Sequence, residues 1–268
     1  MVSLIGLLQH MGRAPELISA SRLTPALSTL VKHYLEIGQP EYPLHLPLRD
    51  GRLLTLADPA EVKVFWNIFI HGAYTIPVDC ETILDCGANA GIFCVWAATH
   101  RPSVRIVALE PCPLTFAELE VNARQNHLEN QVQCVQVGLA AIAGDRLMCT
   151  AGDSPVRKLV PNGLPAPPET ISVRCIRLTE CLRAFRMDAL DLLKMDIEGS
   201  EWEVLLSTAP SVLSRIRYVQ VEYHEAPACF GYSPEMLLAH LMEAGYKLTF
   251  HSEDKYHTGL AHFERVSK

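Results

Sequence analysis

The run Ile83-Leu84-Asp85-Cys86-Gly87-Ala88-Asn89-Ala90-Gly91-Ile92-Phe93 passes from an apolar stretch through a glycine-rich turn into a second apolar stretch. That order reads as strand, tight turn and helix, with glycines that let the backbone turn sharply and come close to a ligand. A second acid, Glu110, ends the apolar run RIVALE about 20 residues beyond the turn, the spacing at which a carboxylate accepts both hydroxyls of a ribose. The turn reads D-x-G-x-N-x-G and not G-x-G-x-x-G. Its Asp85 leads into the loop where a pyrophosphate would have to sit, and negative charge there repels phosphate. A cationic ligand tail is favoured instead. S-adenosylmethionine meets both requirements, with a ribose for Glu110, an α-amino group near Asp85 and no phosphate. An NAD-dependent oxidoreductase is the competing enzyme class, disfavoured by the same two features.

Outward from this turn, strand-like runs alternate with helical ones. TILDC, RIVALE, VQCVQV, LDLLKMD and YVQVEYH are the strand candidates. Between them lie helical patterns over Gly91–His100, Pro113–His127 and Ser200–Thr208, and another opened by Ser233-Pro234-Glu235. Short Val, Ile and Leu runs buried on both faces predict a mostly parallel sheet built from βαβ units. Tyr246–His251 and Gly259–Arg265 are expected to close it as an antiparallel pair. Ligands of such a sheet bind outside the carboxyl ends of its strands, here Asp85, Glu110, Gly138, Asp196 and Glu222. Residues 1–80 read as an accessory region and 81–268 as the ligand-binding domain. The former holds a helical face (Leu27, Leu30, Val31, Tyr34, Leu35) and a hairpin of LHLPL and RLLTL around Asp50-Gly51. A helix capped by Asp58-Pro59 follows, running through Val62, Phe65, Trp66 and Phe69 to a stop near Gly72. The Pro-rich segment Val160–Glu169 reads as a loop between two strand-like stretches, with room to act as a substrate lid.

Composition sets the outer limits. The 268 residues are 49% hydrophobic and 20% charged, enough for one large domain or two small ones and too apolar for disorder. Twenty-three Lys and Arg against 30 Asp and Glu leave a net charge of −7, which disfavours a nucleic-acid backbone as partner. Nine cysteines with no C-x-x-C pair argue against a disulfide framework or a zinc ribbon and for a reducing compartment. The apolar run MVSLIGLLQHM lacks a basic region and a cleavage site, and no stretch approaches a membrane span. A cytoplasmic protein with no membrane partner is the expectation.

Four blocks resemble the FkbM-type methyltransferases, a branch of the S-adenosylmethionine-dependent enzymes: FIHGAY, LDCGANAGIF, ALEPCPLTFAELEVNARQN, and DLLKMDIEGSEWEVL followed by VQVEYHEAP. The last, K-x-D-x-E-G-x-E, is the most specific. The resemblance runs from about Asp58 to Pro227 and implies an α/β Rossmann-like class I methyltransferase fold with a C-terminal antiparallel hairpin. It also implies an O-methyltransferase acting on a small-molecule hydroxyl of a sugar, polyketide or other secondary metabolite. Cofactor contacts carry over to Asp85, Gly87, Ala88, Asn89, Gly91 and Glu110, with Gly138 and Leu139 near the adenine and Tyr74 near the methionine end. Cys86 departs from the aliphatic residue common there, and Gly138-Leu139 is not the commonest pairing. The helical N-terminus is a candidate for covering the cofactor or for a homodimer contact.

Lys194, Asp196 and Glu198 alternate along the end of a strand and therefore share a side. Three charges on one stripe of a buried strand are costly unless they are paired or face a site. Glu222 and His224 share a face on the neighbouring strand, while Glu201 reads as a solvated helix residue. Methyl transfer to an alcohol needs positioning and a base for the hydroxyl proton. Asp196 and Glu198 are assigned to orienting the acceptor and cofactor, and Glu222 and His224 to the proton. Lys194 is assigned to holding the carboxylates ionised or to gripping an acidic substrate group. Asp196, Glu198 and Glu222 also have the oxygen chemistry of a Mg²⁺ site, but nothing in the sequence demands a metal and none is expected. Methylation of a nitrogen or of a protein side chain is the alternative within the class, and would lean less on Glu222 and His224.

Overall fold

The computed structural model describes residues 14–152, 157–161, 163–225, 230–254 and 258–266. The apolar run Met1–Met11, Asn162 of the Pro-rich segment, the Ala226-Pro227 end of the fourth block and Cys229 lie outside them.

Two helices open the described chain, α1 (Ala14–Leu23) and α2 (Leu27–Tyr34), followed by the hairpin strands β1 (Leu44–Pro47) and β2 (Leu53–Leu56). Helix α3 (Pro59–Phe65) starts where Asp58 accepts the Glu61 backbone N–H and Pro59 presets the first turn. One continuous helix through Phe69 was the expectation. Instead α3 widens at Trp66 into a π-helical turn, Trp66–His71, closed by Gly72 in the left-handed region, after which the Ala73 N–H donates to Asn67 O at 3.1 Å. Such turns favour functional sites because they push side chains out of helical register.

A seven-stranded sheet forms the centre. Its strands are β3 (Thr82–Cys86), β4 (Arg105–Leu109), β5 (Val132–Val135), β10 (Leu190–Met195), β11 (Ile216–Tyr223), β12 (Tyr246–Glu253) and β13 (Gly259–Arg265), in the order β12-β13-β11-β10-β3-β4-β5. The five strands from β11 to β5 run parallel, whereas β13 and β12 are antiparallel, as the sequence leads one to expect. From β3 the chain winds outward through β4 and β5, then returns to β10 on the other side. The switch point therefore lies between β3 and β10, where open sheets hold their ligands. Helices α4 (Ile92–His100) and α5 (Pro113–Gln125) follow β3 and β4.

Helix α4 explains the N-terminal region. Residues Ile92 to Ala98 are all buried, so this helix has no solvent face. One side meets the sheet and the other meets Leu54, Phe65 and Trp66, in a single core cluster. Side-chain amides of α5 complete the join. Asn122 and Asn126 each accept from and donate to the backbone of β2 at Thr55 and Leu53, over 2.7–2.9 Å. These amides satisfy part of the strand edge that a two-stranded hairpin leaves open.

The sequence reading did not resolve a second sheet of four short strands: β6 (Gly138–Leu139), β7 (Gly144–Cys149), β8 (Lys158–Leu159) and β9 (Thr170–Ile176), in the order β6-β9-β7-β8. Gly138-Leu139 belong to it and do not end β5. The Pro-rich loop joins β8 to β9. Helices α6 (Leu178–Ala184), α7 (Glu201–Ser207), α8 (Pro210–Leu213) and α9 (Pro234–Glu243) complete the chain. The eight described cysteines are free. Among the described residues no helix is long and apolar enough to cross a membrane.

Candidate active site

A cleft opens over the carboxyl ends of β3, β4, β10 and β11, walled by the π-helical turn on one side and the second sheet on the other. The β3 side is built from backbone. Gly87 has φ +77°, and a Cβ there would lie 1.7 Å from the carbonyl oxygen of Asp196, so only glycine lets β3 and β10 part around the turn. Glu110, 6% exposed, accepts the backbone N–H groups of Asn89 at 3.1 Å and Cys112 at 2.9 Å. Burial pushes its carboxyl up to about 7 despite these bonds. Ala88, Asn89, Glu110, Gly138 and Leu139 all line the cleft.

Two of the residues assigned to the cofactor do not line it. Gly91 packs against α5, where an added Cβ would meet Leu119 at 2.6 Å. Asp85 is fully buried beneath the floor, 3.1 Å from Lys194 Nζ, and accepts from Cys94 Sγ at 3.3 Å. The sequence reading turned Asp85 toward a ligand ammonium. The register explains the difference, because Asp85 pairs directly with Lys194 across β3 and β10. That ammonium also donates to Gly87 O at 2.9 Å and lies 3.6 Å from Asp196. The buried ammonium is thus engaged by one carbonyl hydrogen bond and two carboxylate ion pairs, the first of the two roles assigned to it. Burial alone would depress the Lys194 ammonium, but Asp85 and Asp196 outweigh it and hold the charge.

On the β10 and β11 side, ionisable side chains converge. Tyr74 is buried, its segment held to β11 by Gln220, whose amide accepts from Thr75 N at 3.2 Å and donates to Thr75 O at 2.7 Å. Its hydroxyl lies 3.1 Å from Glu222 Oε2 and 3.4 Å from Asp196 Oδ2. Burial, then the Asp196 charge, pushes Glu222 up to about 7. Glu198, in the left-handed region at φ +54°, is pushed up to about 8 by burial, with His224 opposing. A non-glycine residue in that conformation stores strain, a recurring mark of functional turns.

His224 does not line the cleft. It sits behind it, with Nδ1 3.1 Å from Glu201 and Nε2 3.4 Å from Glu198 and 3.9 Å from Asp196. Burial would lower its imidazole, but Glu201, then Asp196 and Glu198, push it up to about 10. An imidazolium has no lone pair to take a proton, so of the two residues assigned to proton handling Glu222 remains. Glu201, read from sequence as solvated, is fully buried, accepting from Ile197 N at 2.7 Å and Gly199 N at 2.8 Å. The available signal was its place at the first helical position just after a glycine turn, where orphan N–H groups gather. Asp196, Glu201 and His224 also stand close enough to share a metal ion. Sequence reasoning missed Asn67, Met148, Arg157 and Leu159, which line the cleft from the π-helical turn and the second sheet.

Several known proteins are similar to this chain. A 31-O-demethyl-FK506 methyltransferase, FkbM, of Streptomyces tacrolimicus is 29% identical over 63% of this chain and 75% of its own length. Methyltransferase sdnD of Sordaria araneosa is 29% identical over 62% and 74%. The crystal structure of a methyltransferase FkbM from Methylobacillus flagellatus KT matches 96% of this chain at 16% identity with a TM-score of 0.48, and the chain spans 60% of that protein. The methyltransferase FkbM domain model covers residues 85–248, more than half of the sequence, and on that match the chain belongs to the FkbM methyltransferase family.

Proposed function

We propose that the chain transfers a methyl group from S-adenosylmethionine to a hydroxyl of a small molecule, with sugars, polyketides and other secondary metabolites as the acceptor class. The observation that carries this reading is Glu110 and Glu222 facing one cleft, the first held by backbone N–H groups and the second hydrogen-bonded by Tyr74. The donor set fits the cofactor. A buried carboxylate at the end of β4 suits a ribose diol. A floor carrying Asp196, Glu198 and Glu222 suits a cationic ligand with no phosphate. The name of the Streptomyces relative, a 31-O-demethyl-FK506 methyltransferase, supports oxygen as the atom methylated. The family match sets aside the nicotinamide alternative.

When bound, S-adenosylmethionine supplies an electrophilic methyl on a sulfonium. The chain's own residues position and deprotonate. Glu110 accepts the ribose hydroxyls, fixed by Asn89 and Cys112. Asp196 and Glu198 orient the acceptor hydroxyl at the floor. Glu222 takes its proton on Oε1, since Tyr74 occupies Oε2. A carboxyl held near 7 is matched to that task at neutral pH. His224 and Lys194 hold the surrounding carboxyl groups in place and oppose the protonation that burial favours.

Calorimetric titration with S-adenosylhomocysteine and, separately, NAD tests the cofactor. One-to-one binding of the first, weakened roughly 10- to 100-fold in Glu110→Gln, is expected for loss of a charged hydrogen-bond acceptor. Asp85→Ala is a poor control, because it strands the buried Lys194 charge. Absence of heat and of thermal shift in folded protein, or binding of NAD alone, overturns the reading. Transfer of labelled methyl to a panel of hydroxylated and amine-bearing compounds then separates oxygen from nitrogen acceptors.

A further inference from the structure

The second sheet lies outside the seven-stranded core, yet it walls one end of the cleft. Arg157, immediately before β8, reaches from it to the first turn of α5, where Nη1 donates to Thr115 Oγ1 at 2.7 Å and lies 3.8 Å from Cys112 Sγ. Cys112 is the residue whose N–H holds Glu110. The guanidinium therefore stands within one helical turn of the ribose acid, at the end of the cleft away from Tyr74 and Glu222. Met148, Leu159 and Leu139 are apolar residues that line the same cleft. The Arg157 Nε is buried and has no hydrogen-bond partner among the described residues. A buried donor left unmade costs free energy that a ligand can recover. A planar cation with an unspent donor, beside apolar side chains and the Glu118 carboxyl, can meet a flat heteroaromatic ring either by stacking its face or by donating from its edge to a ring nitrogen.

We propose that Arg157 is a cofactor-binding residue for the nucleoside end, and that the second sheet exists in this fold to carry it there. The proposal rests on the adenosyl reading above. It gives the β7–β8 edge a direct share in cofactor affinity, which nothing in the glycine turn supplies.

The test compares two ligands, S-adenosylhomocysteine and 5′-methylthioadenosine, which share the nucleoside and differ in the amino-acid tail. Dissociation constants are measured calorimetrically for wild type, Arg157→Ala, Arg157→Lys and Thr115→Val, with unliganded melting temperatures alongside. Arg157→Ala is expected to weaken both ligands by the same factor, roughly tenfold or more for a charged donor. Arg157→Lys recovers part of the loss, and Thr115→Val, which frees the guanidinium from its anchor, costs less. A purely structural role would lower the melting temperature without an equal loss for the two ligands. Unchanged affinities overturn the proposal, as does a loss confined to S-adenosylhomocysteine, which would put Arg157 at the methionine end. If Arg157→Ala does not fold, Arg157→Lys and Thr115→Val decide, and wild-type affinity for both ligands in both variants overturns it. Wild-type protein that binds neither ligand overturns the adenosyl reading itself, a distinct result.

Discussion

The two halves of the cleft are built from different materials. Over β3 and β4, shape is set by backbone: Gly87 leaves no room for a side chain, and Glu110 is fixed by two peptide N–H groups. Over β10 and β11, shape is set by charge: Lys194 and His224 stand among Asp85, Asp196, Glu198, Glu201 and Glu222, and protons decide which of them carry charge. The first half should fail mainly through sterics, with Glu110 as its titrating group, whereas the second should tolerate volume and respond to pH through several coupled groups.

The sharpest way to break the contrast is Gly87→Ala. Its Cβ would overlap a backbone carbonyl that cannot swing away, in a conformation that already disfavours side chains. A loss of about 3 kcal/mol or more in urea unfolding is expected, together with loss of S-adenosylhomocysteine binding, at every pH tested. A variant that binds normally would show that the turn is softer than its geometry implies.

Glu222→Gln probes the other half. With its carboxyl at about 7, wild-type methyl transfer should climb as pH rises through 7 and Glu222 ionises. The variant should lose that limb and roughly 10²- to 10⁴-fold in rate, the usual range for a general base, with cofactor affinity little changed. A surviving pH limb would transfer the proton to Glu198.

The smallest effect is on stability. His224, Glu198 and Glu222 all bind protons more tightly folded than unfolded, at about 10, 8 and 7. Their contribution is therefore fullest at acidic pH and declines as pH rises, through 7 and 8 for the acids and through 10 for His224. In Glu201→Gln the imidazole loses its largest partner, so its nuclear-magnetic-resonance titration should move down from 10, and the decline should be smaller and complete at lower pH. An unchanged titration would show that Asp196 and Glu198 suffice.

The backbone half was also the half that the sequence made legible. TILDC is β3 to the residue, and Glu110 stands at the end of RIVALE because a strand length and a turn fix both. The charged half was legible only as a set. Alternation along a strand names Lys194, Asp196 and Glu198, but the strand stops at Met195, and the left-handed turn at Glu198 decides what they meet. His224 became an imidazolium through Glu201, whose burial depends on capping N–H groups that no hydropathy pattern records. The second sheet was illegible for a simpler reason. β6 and β8 are two residues long, too short for any period, and β6 pairs with a strand more than thirty residues away.

Helix α4 bears on how such a protein can be altered. Because this helix is apolar on every side, the hairpin and helices ahead of it are one of its two walls, and the sheet is the other. A chain trimmed to begin at residue 81 would keep every residue of the glycine turn and still present a bare oily flank to water. In engineering terms there is no seam between a catalytic module and an appendage. The smallest piece that can be grafted, swapped or shortened as a unit includes both walls.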